Sequence, residues 1–282
     1  MKMPIVRNTR VRITAALFVA ILAASNLVAG GSIDLPSDSL FSVSYVNLAL
    51  SDAGNVLSAP ARYDRRDWMC AGGAIMAVTG VYFLDGSIRE ARPRPRDATV
   101  NKVATAVELL GSWGAFVAIG GMYAGGVIAD MPELKRMGLD GLTASAIAGG
   151  IIAPAIKLAV GRSRPWKNEG THRFRPFSGN VSFPSGHTTE AFALASVIAE
   201  SSENILVDVA SYSLATMVGF VRIYHDAHFA SDVLAGAIIG SATGISVVRF
   251  NRKQRSSAMI AFVPVIPEVS GKPAGGMIVF SY

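Results

Sequence analysis

The chain has 282 residues, of which 51% are hydrophobic and 16% charged, with a mean hydropathy of +0.40. This is poorer in charge than an ordinary soluble domain and far too apolar for a disordered chain, while one cysteine and 28 glycines exclude a disulfide scaffold and a collagen. The net charge of +6 admits nucleic acid, anionic lipid or an anionic substrate, and the placement of the basic residues has to decide among them.

Residues 1–12 carry Lys2, Arg7, Arg10 and Arg12 with no acid, and an apolar run over 13–29 leads to Ala29, Gly30 and Gly31. A positive stretch, an apolar stretch and a small-residue exit mark a secretory signal. The apolar run is long for a cleaved signal, so an uncleaved anchor competes. Residues 1–30 thus read as a signal peptide or N-terminal anchor, and both point to the cell envelope. Residues 31–66 form an N-terminal amphipathic segment. Within it Ser44–Leu50, Val56 and Leu57 suit a helix that the charged stretch Arg62–Asp67 ends.

Five strongly apolar segments follow, at about 68–84, 107–129, 141–160, 205–221 and 233–248, with a weaker sixth at about 187–200. None alternates with a period of two, so all read as helices. Their lengths straddle the roughly 20 residues needed to span a bilayer. Small residues, densest over Gly120–Gly126, suit close helix approach inside a membrane. The expected fold is all-α: a membrane-embedded helical bundle of about six core helices over 67–250. A compact soluble all-α domain is the alternative.

Arg89, Arg92, Arg94 and Arg96 read as a solvated or headgroup-facing loop, and Cys70 as a small buried hydrophobe. Residues 251–282 hold a basic stretch and a C-terminal tail. Its runs Met259–Val263 and Met277–Phe280 suggest a small β-hairpin.

Three polar clusters interrupt this pattern. Lys157, Arg162, Arg164 and Pro165 lie where the third apolar segment ends, a place that favours cations through the helix dipole alone. Pro184-Ser185-Gly186-His187 opens the weaker segment. A helix start offers unpaired N–H groups to an anion, although an ordinary serine cap with a solvated histidine reads the same way. Arg222, His225, His228 and Asp232 precede the last segment. His228 and Asp232 are four apart, so on a helix the carboxylate can reach the imidazole. His225, His228 and Asp232 could also be metal ligands, but no further His or acid cluster completes a shell.

In this order the clusters resemble the type 2 phosphatidic-acid phosphatase and vanadium haloperoxidase superfamily. Its signature is Lys-x6-Arg-Pro, Pro-Ser-Gly-His and Arg-x5-His-x3-Asp. The chain has Lys157-x6-Arg164-Pro165, Pro184-Ser185-Gly186-His187 and Arg222-x5-His228-x3-Asp232. All ten fixed positions match, at about one chance in twenty for each. Val221 stands where the family often has serine. The resemblance covers about 141–248 by motif, and about 67–140 by helix pattern only.

It implies a metal-independent phosphatase with no cofactor. Lys157, Arg164 and Arg222, with the Ser185 hydroxyl and the Gly186 N–H, would bind the phosphoryl group. His228 would attack phosphorus, Asp232 would orient His228 and favour its charged form, and His187 would protonate the leaving oxygen. The implied partners are a phosphorylated lipid or other phosphate ester and the membrane, with no nucleic acid. The implied place is the inner membrane with a periplasm-facing site, or the periplasm. A soluble exported acid phosphatase, a vanadate-dependent haloperoxidase, and a non-enzymatic membrane protein with a vestigial pocket remain as alternatives.

Overall fold

The computed structural model describes residues 39–40, 42–92, 98–258, 260–265 and 275–280. The signal or anchor expected over 1–30 lies outside them. Helix α1 (Val43–Leu57) starts at Ser42, whose side chain accepts from the Tyr45 N–H. The charged stretch after it does more than end a helix. Asp64 and Asp67 accept reciprocally from each other's backbone N–H, at 2.8 and 3.1 Å. This capping box opens α2 (Arg65–Glu90).

The remaining helices are α3 (Ala98–Glu108), α4 (Trp113–Ile128), α5 (Pro132–Val160), α6 (Gly186–Ser201), α7 (Ile205–Tyr224) and α8 (Ala230–Ala258). Beyond them β1 (Ile260–Val265) pairs antiparallel with β2 (Gly275–Phe280).

Four of these helices, α2, α5, α7 and α8, are long and apolar enough to cross a membrane, and α3 with α4 make a fifth candidate bent by 53°. Only 6% of the apolar window of α2 is buried inside the protein. Phe83 is 73% exposed and Ile128 86%, so these apolar surfaces face outward, as in a membrane protein. Cys70 is exposed on α2, which corrects its reading as a buried residue. The lipid side of a helix is as apolar as its core side, so composition alone could not separate the two.

The weakest apolar segment lies at the centre. Helix α6 packs against α8 most extensively, and also against α7, α5 and α4. Its core contacts use small side chains: Ala193 and Val197 meet Ala144, Ala148 and Val247, while Ala191 and Ala195 meet Ala215 and Val218. Close approach comes from three glycines four residues apart on α8. A Cβ on Gly236 would lie 2.7 Å from the Ser185 carbonyl, one on Gly240 2.3 Å from the Thr189 carbonyl, and one on Gly244 2.5 Å from the Ala193 carbonyl. By contrast Gly120 and Gly121, in the stretch with the densest small residues, face open space. The glycine stripe thus lays the whole first half of α8 directly on α6. It sets the second and third sequence clusters side by side at one end of the bundle, where the Ser185 N–H donates to the Asp232 carbonyl at 2.9 Å.

Candidate active site

All three clusters meet at that end. Helix α5 stops at Gly161, whose φ of +59° a side chain would strain. A Cβ there would also lie 1.8 Å from the Arg175 carbonyl. The chain can therefore turn sharply and bring Arg164 close enough to Lys157 for their charges to act on each other. The Lys157 ammonium donates to the Val181 carbonyl at 3.1 Å and to the Pro184 carbonyl. A Cβ added to Gly186 would lie 3.9 Å from this ammonium. The Arg164 Nε is buried with no partner among the described residues. Burial, and then the charge of Arg222, lower the affinity of the Arg164 guanidinium for its proton.

Ser185 stands at the start of α6 and is fully buried, but its side chain makes no bond to the first turn's N–H groups. It accepts from the Thr188 hydroxyl at 2.9 Å, so its own proton is left to give. The capping reading of this serine is therefore wrong: it adds an O–H donor to the N–H groups that open the helix.

Asp232 is the third residue of α8 and reaches back to the Phe229 N–H at 2.9 Å, as an acid at this helix position often does. The same oxygen accepts from Ser182 at 2.6 Å, and the other accepts from Arg162 at 2.7 Å. The His228 Nδ1 lies 3.7 Å from the carboxylate, a contact longer than a hydrogen bond. Its Nε2 is left for chemistry. Asp232 was expected to favour the charged form of His228. Complete burial, backed by the cations of Lys157 and Arg164, outweighs it and pushes the imidazole down to about 3. The candidate nucleophile is therefore neutral. His187 is pushed down to about 4, first by burial, then by Arg222, with Glu108 pulling the other way.

Four groups escaped the sequence reading. Arg162, at 1% exposure, lies between two carboxylates and three rings. It donates to Asp85 at 2.8 Å, to Asp232 at 2.7 Å and to Ser231 at 2.7 Å. Its guanidinium carbon sits 4.2 Å from the Phe229 ring centre and 5.0 Å from that of Tyr82. Asp85, at the end of α2, also accepts from the Ser231 N–H at 2.9 Å. Ser182 binds Asp232 as described. Glu108, where α3 meets the bend, contacts Arg222, His187 at 3.6 Å and His225 at 2.7 Å. An isolated acid at the edge of an apolar segment was the available signal for both Asp85 and Glu108.

His225 thus faces Glu108, apart from the His228–Asp232 pair. Among the described residues no three His, Cys, Asp or Glu side chains form a metal-binding group. Arg89 and Arg92 leave the solvated-loop reading as well. Both pair with Asp226, at 2.9 and 2.7 Å, with side chains 20% and 7% exposed. Arg94 and Arg96 lie outside the described residues.

Residues 140–256 match the PAP2 superfamily. The positions expected to bind phosphate and the two candidate histidines all fall inside this stretch, whereas Asp85 and Glu108 come from helices before it. Over 104 residues the chain is 36% identical to a lipid A 1-phosphatase of Rhizobium etli, covering 35% of this chain and 44% of that protein. Over 107 residues it is 31% identical to an undecaprenyl-diphosphatase of Bacillus subtilis, covering 38% of this chain and 54% of that one. The chain therefore spans about half the length of these relatives. A transmembrane PAP2-type phosphatidylglycerolphosphate phosphatase of Bacillus subtilis superposes with a TM-score of 0.47 at 22% identity, over 75% of this chain and 96% of that one.

The neutral state of His228 is directly measurable. In nitrogen spectra of the detergent-solubilised protein, its imidazole should stay neutral from about pH 8 down to about pH 4, above its midpoint of about 3. A midpoint near the ordinary value of about 6.5 would show that burial does not control this group.

Proposed function

We propose that the protein hydrolyses a phosphate monoester or diphosphate carried by a lipid, through a phosphohistidine on His228. The carrying observation is the convergence of Lys157, Arg164 and Arg222 on a neutral histidine, at one end of a bundle with apolar outer faces. The charges of all three cations reach His187, and those of Lys157 and Arg164 reach His228. Such a pocket suits a phosphoryl group carrying about −1.5 to −2 charges. It requires no metal to offset that charge.

In the first step the Nε2 lone pair of His228 forms a bond to phosphorus as the bond to the leaving oxygen breaks. His187 delivers its proton to that oxygen. In the second step His187 takes a proton from water, the water oxygen bonds to phosphorus, and the P–N bond breaks to restore His228. Asp232 faces the imidazolium-like charge that builds on His228. His187 is neutral in the empty pocket, so its proton has to come with the substrate, or be held by the phosphoryl charge once bound. A lipid substrate is favoured by the outward apolar surfaces, and by two relatives named for lipid A and undecaprenyl diphosphate.

We also place the site on the periplasmic or outer side. Arg249, Arg252 and Arg255 lie at the opposite end of α8, where Arg249 and Arg255 pair with Glu200 and Asp140. The positive-inside rule puts that end in the cytoplasm. Arg89 and Arg92 share the site's end, but their pairing with Asp226 gives them a structural use there.

Phosphate release from phosphatidic acid in mixed micelles should vanish in His228→Ala, persist largely in His225→Ala, and continue in EDTA. Loss in His225→Ala with survival of His228→Ala would invert the assignment. Loss in EDTA reversed by Mg²⁺ would remove the metal-free scheme. For orientation, a single cysteine at Asn168 in a Cys70→Ser background should react with an impermeant maleimide in whole cells, and one at Lys253 only after lysis. The reverse pattern would put the site in the cytoplasm.

A further inference from the structure

The phosphate pocket already holds an anion of its own. Glu108 gives one oxygen to the Arg222 guanidinium, with His187 3.6 Å from that same oxygen, and its other oxygen lies 2.7 Å from the His225 Nδ1. Its side chain is 25% exposed and that of His187 33%, against 1% for His228. Glu108 therefore stands on the solvent side of the pocket, over a buried nucleophile. The Arg222 Nε is meanwhile buried without a partner, so the guanidinium's fork is only half used.

Two features bring the carboxylate there. Glu108 is the last residue of α3, next to the bend of the broken span. Gly111, in that bend, packs so tightly that a Cβ would lie 2.6 Å from the His187 carbonyl. The bend is thus seated on α6 beside the catalytic histidine.

Resting on the phosphatase reading above, the geometry points to Glu108 as a resident counter-ion that a phosphoryl group must displace from Arg222 and His187. A phosphoryl dianion and a carboxylate cannot share one guanidinium edge, because like charges a few ångströms apart repel. In the empty enzyme the carboxylate offsets the crowded cations and holds Arg222 in place. On binding, the phosphoryl oxygens take over Arg222, and Glu108 turns toward solvent. The ligand class is any tetrahedral phosphoryl or vanadate anion. Glu108 therefore sets affinity, and discriminates against weakly charged anions that cannot dislodge it.

The test is Glu108→Gln, which keeps shape and hydrogen bonding while removing the charge. Inorganic phosphate is the probe, read as a competitive inhibitor of phosphatidic acid hydrolysis. The inhibition constant and KM should both fall, by about tenfold for loss of one nearby like charge, and kcat should not rise. Glu108→Ala should move the inhibition constant in the same direction. Weaker or unchanged phosphate affinity in an active Glu108→Gln protein would overturn the proposal and make Glu108 a structural prop for Arg222. An inactive wild-type protein would instead defeat the phosphatase reading itself. A measurement on the unmodified chain needs no variant to fold: saturating inorganic phosphate should shift the His225 imidazole signal as its Glu108 partner leaves. A shift at His187 with none at His225 would contradict displacement.

Discussion

The site depends on one buried cation. Arg162 is held between Asp85 of α2 and Asp232 of α8, with Ser231 alongside and aromatic rings packed over it. Three charges taken out of water are stabilising only when each is paired and hydrogen-bonded, and here each is. Asp85 accepts two bonds from Ser231 as well as one from Arg162. Asp232 accepts from Ser182 and Phe229 on the oxygen that Arg162 leaves free. Removing Arg162 would leave two buried carboxylates uncompensated, a loss of about 3–5 kcal/mol. The network therefore fixes the carboxylate, and through it the first turn of α8 and the position of His228.

The network can close only because the backbones approach so tightly. Gly236, Gly240 and Gly244 let α8 lie on α6, and this contact sets Ser185 against Asp232. Gly161 lets the chain leave α5 and fold back so that Arg162 points inward. Rigid small-residue packing thus supplies the precision, and buried charge pairs supply the orientation. Two of the cations expected to bind phosphate, Lys157 and Arg164, stay apart from both. Among the described residues the Arg164 Nε has no partner, and Lys157 donates to the Val181 and Pro184 carbonyls. That division leaves Lys157 and Arg164 facing the pocket, which favours an incoming anion.

The candidate site was legible because spacing survives without coordinates. Lys157, Arg164, Ser185, Gly186, His187, Arg222, His228 and Asp232 sit in three short stretches, and the structure brings the stretches together. What was not legible depends on contacts between distant segments. Arg162 read as one more cation at a helix end. Asp85 lies 77 residues from Arg162, and nothing local marks that partnership. The balance at His228 was misjudged for the same reason: the neighbouring carboxylate is visible in sequence, whereas the burial that outweighs it is not. The glycine stripe on α8 was visible as a four-residue repeat. The denser cluster over Gly120–Gly126 drew more notice, yet Gly120 and Gly121 face open space and Gly126 packs against Lys135 of α5.

The central claim is that a neutral, buried His228 becomes covalently attached to phosphorus while His187 handles protons. Rapid acid-free quenching of a His187→Ala variant with p-nitrophenyl phosphate tests it most directly, because that leaving group needs no proton from the enzyme. A base-stable, acid-labile phosphoryl group should accumulate on the protein, and mass spectrometry of its peptides should place it on His228. Steady nitrophenol release with no phosphorylated protein, or phosphate found on His225 or a serine, would contradict the account.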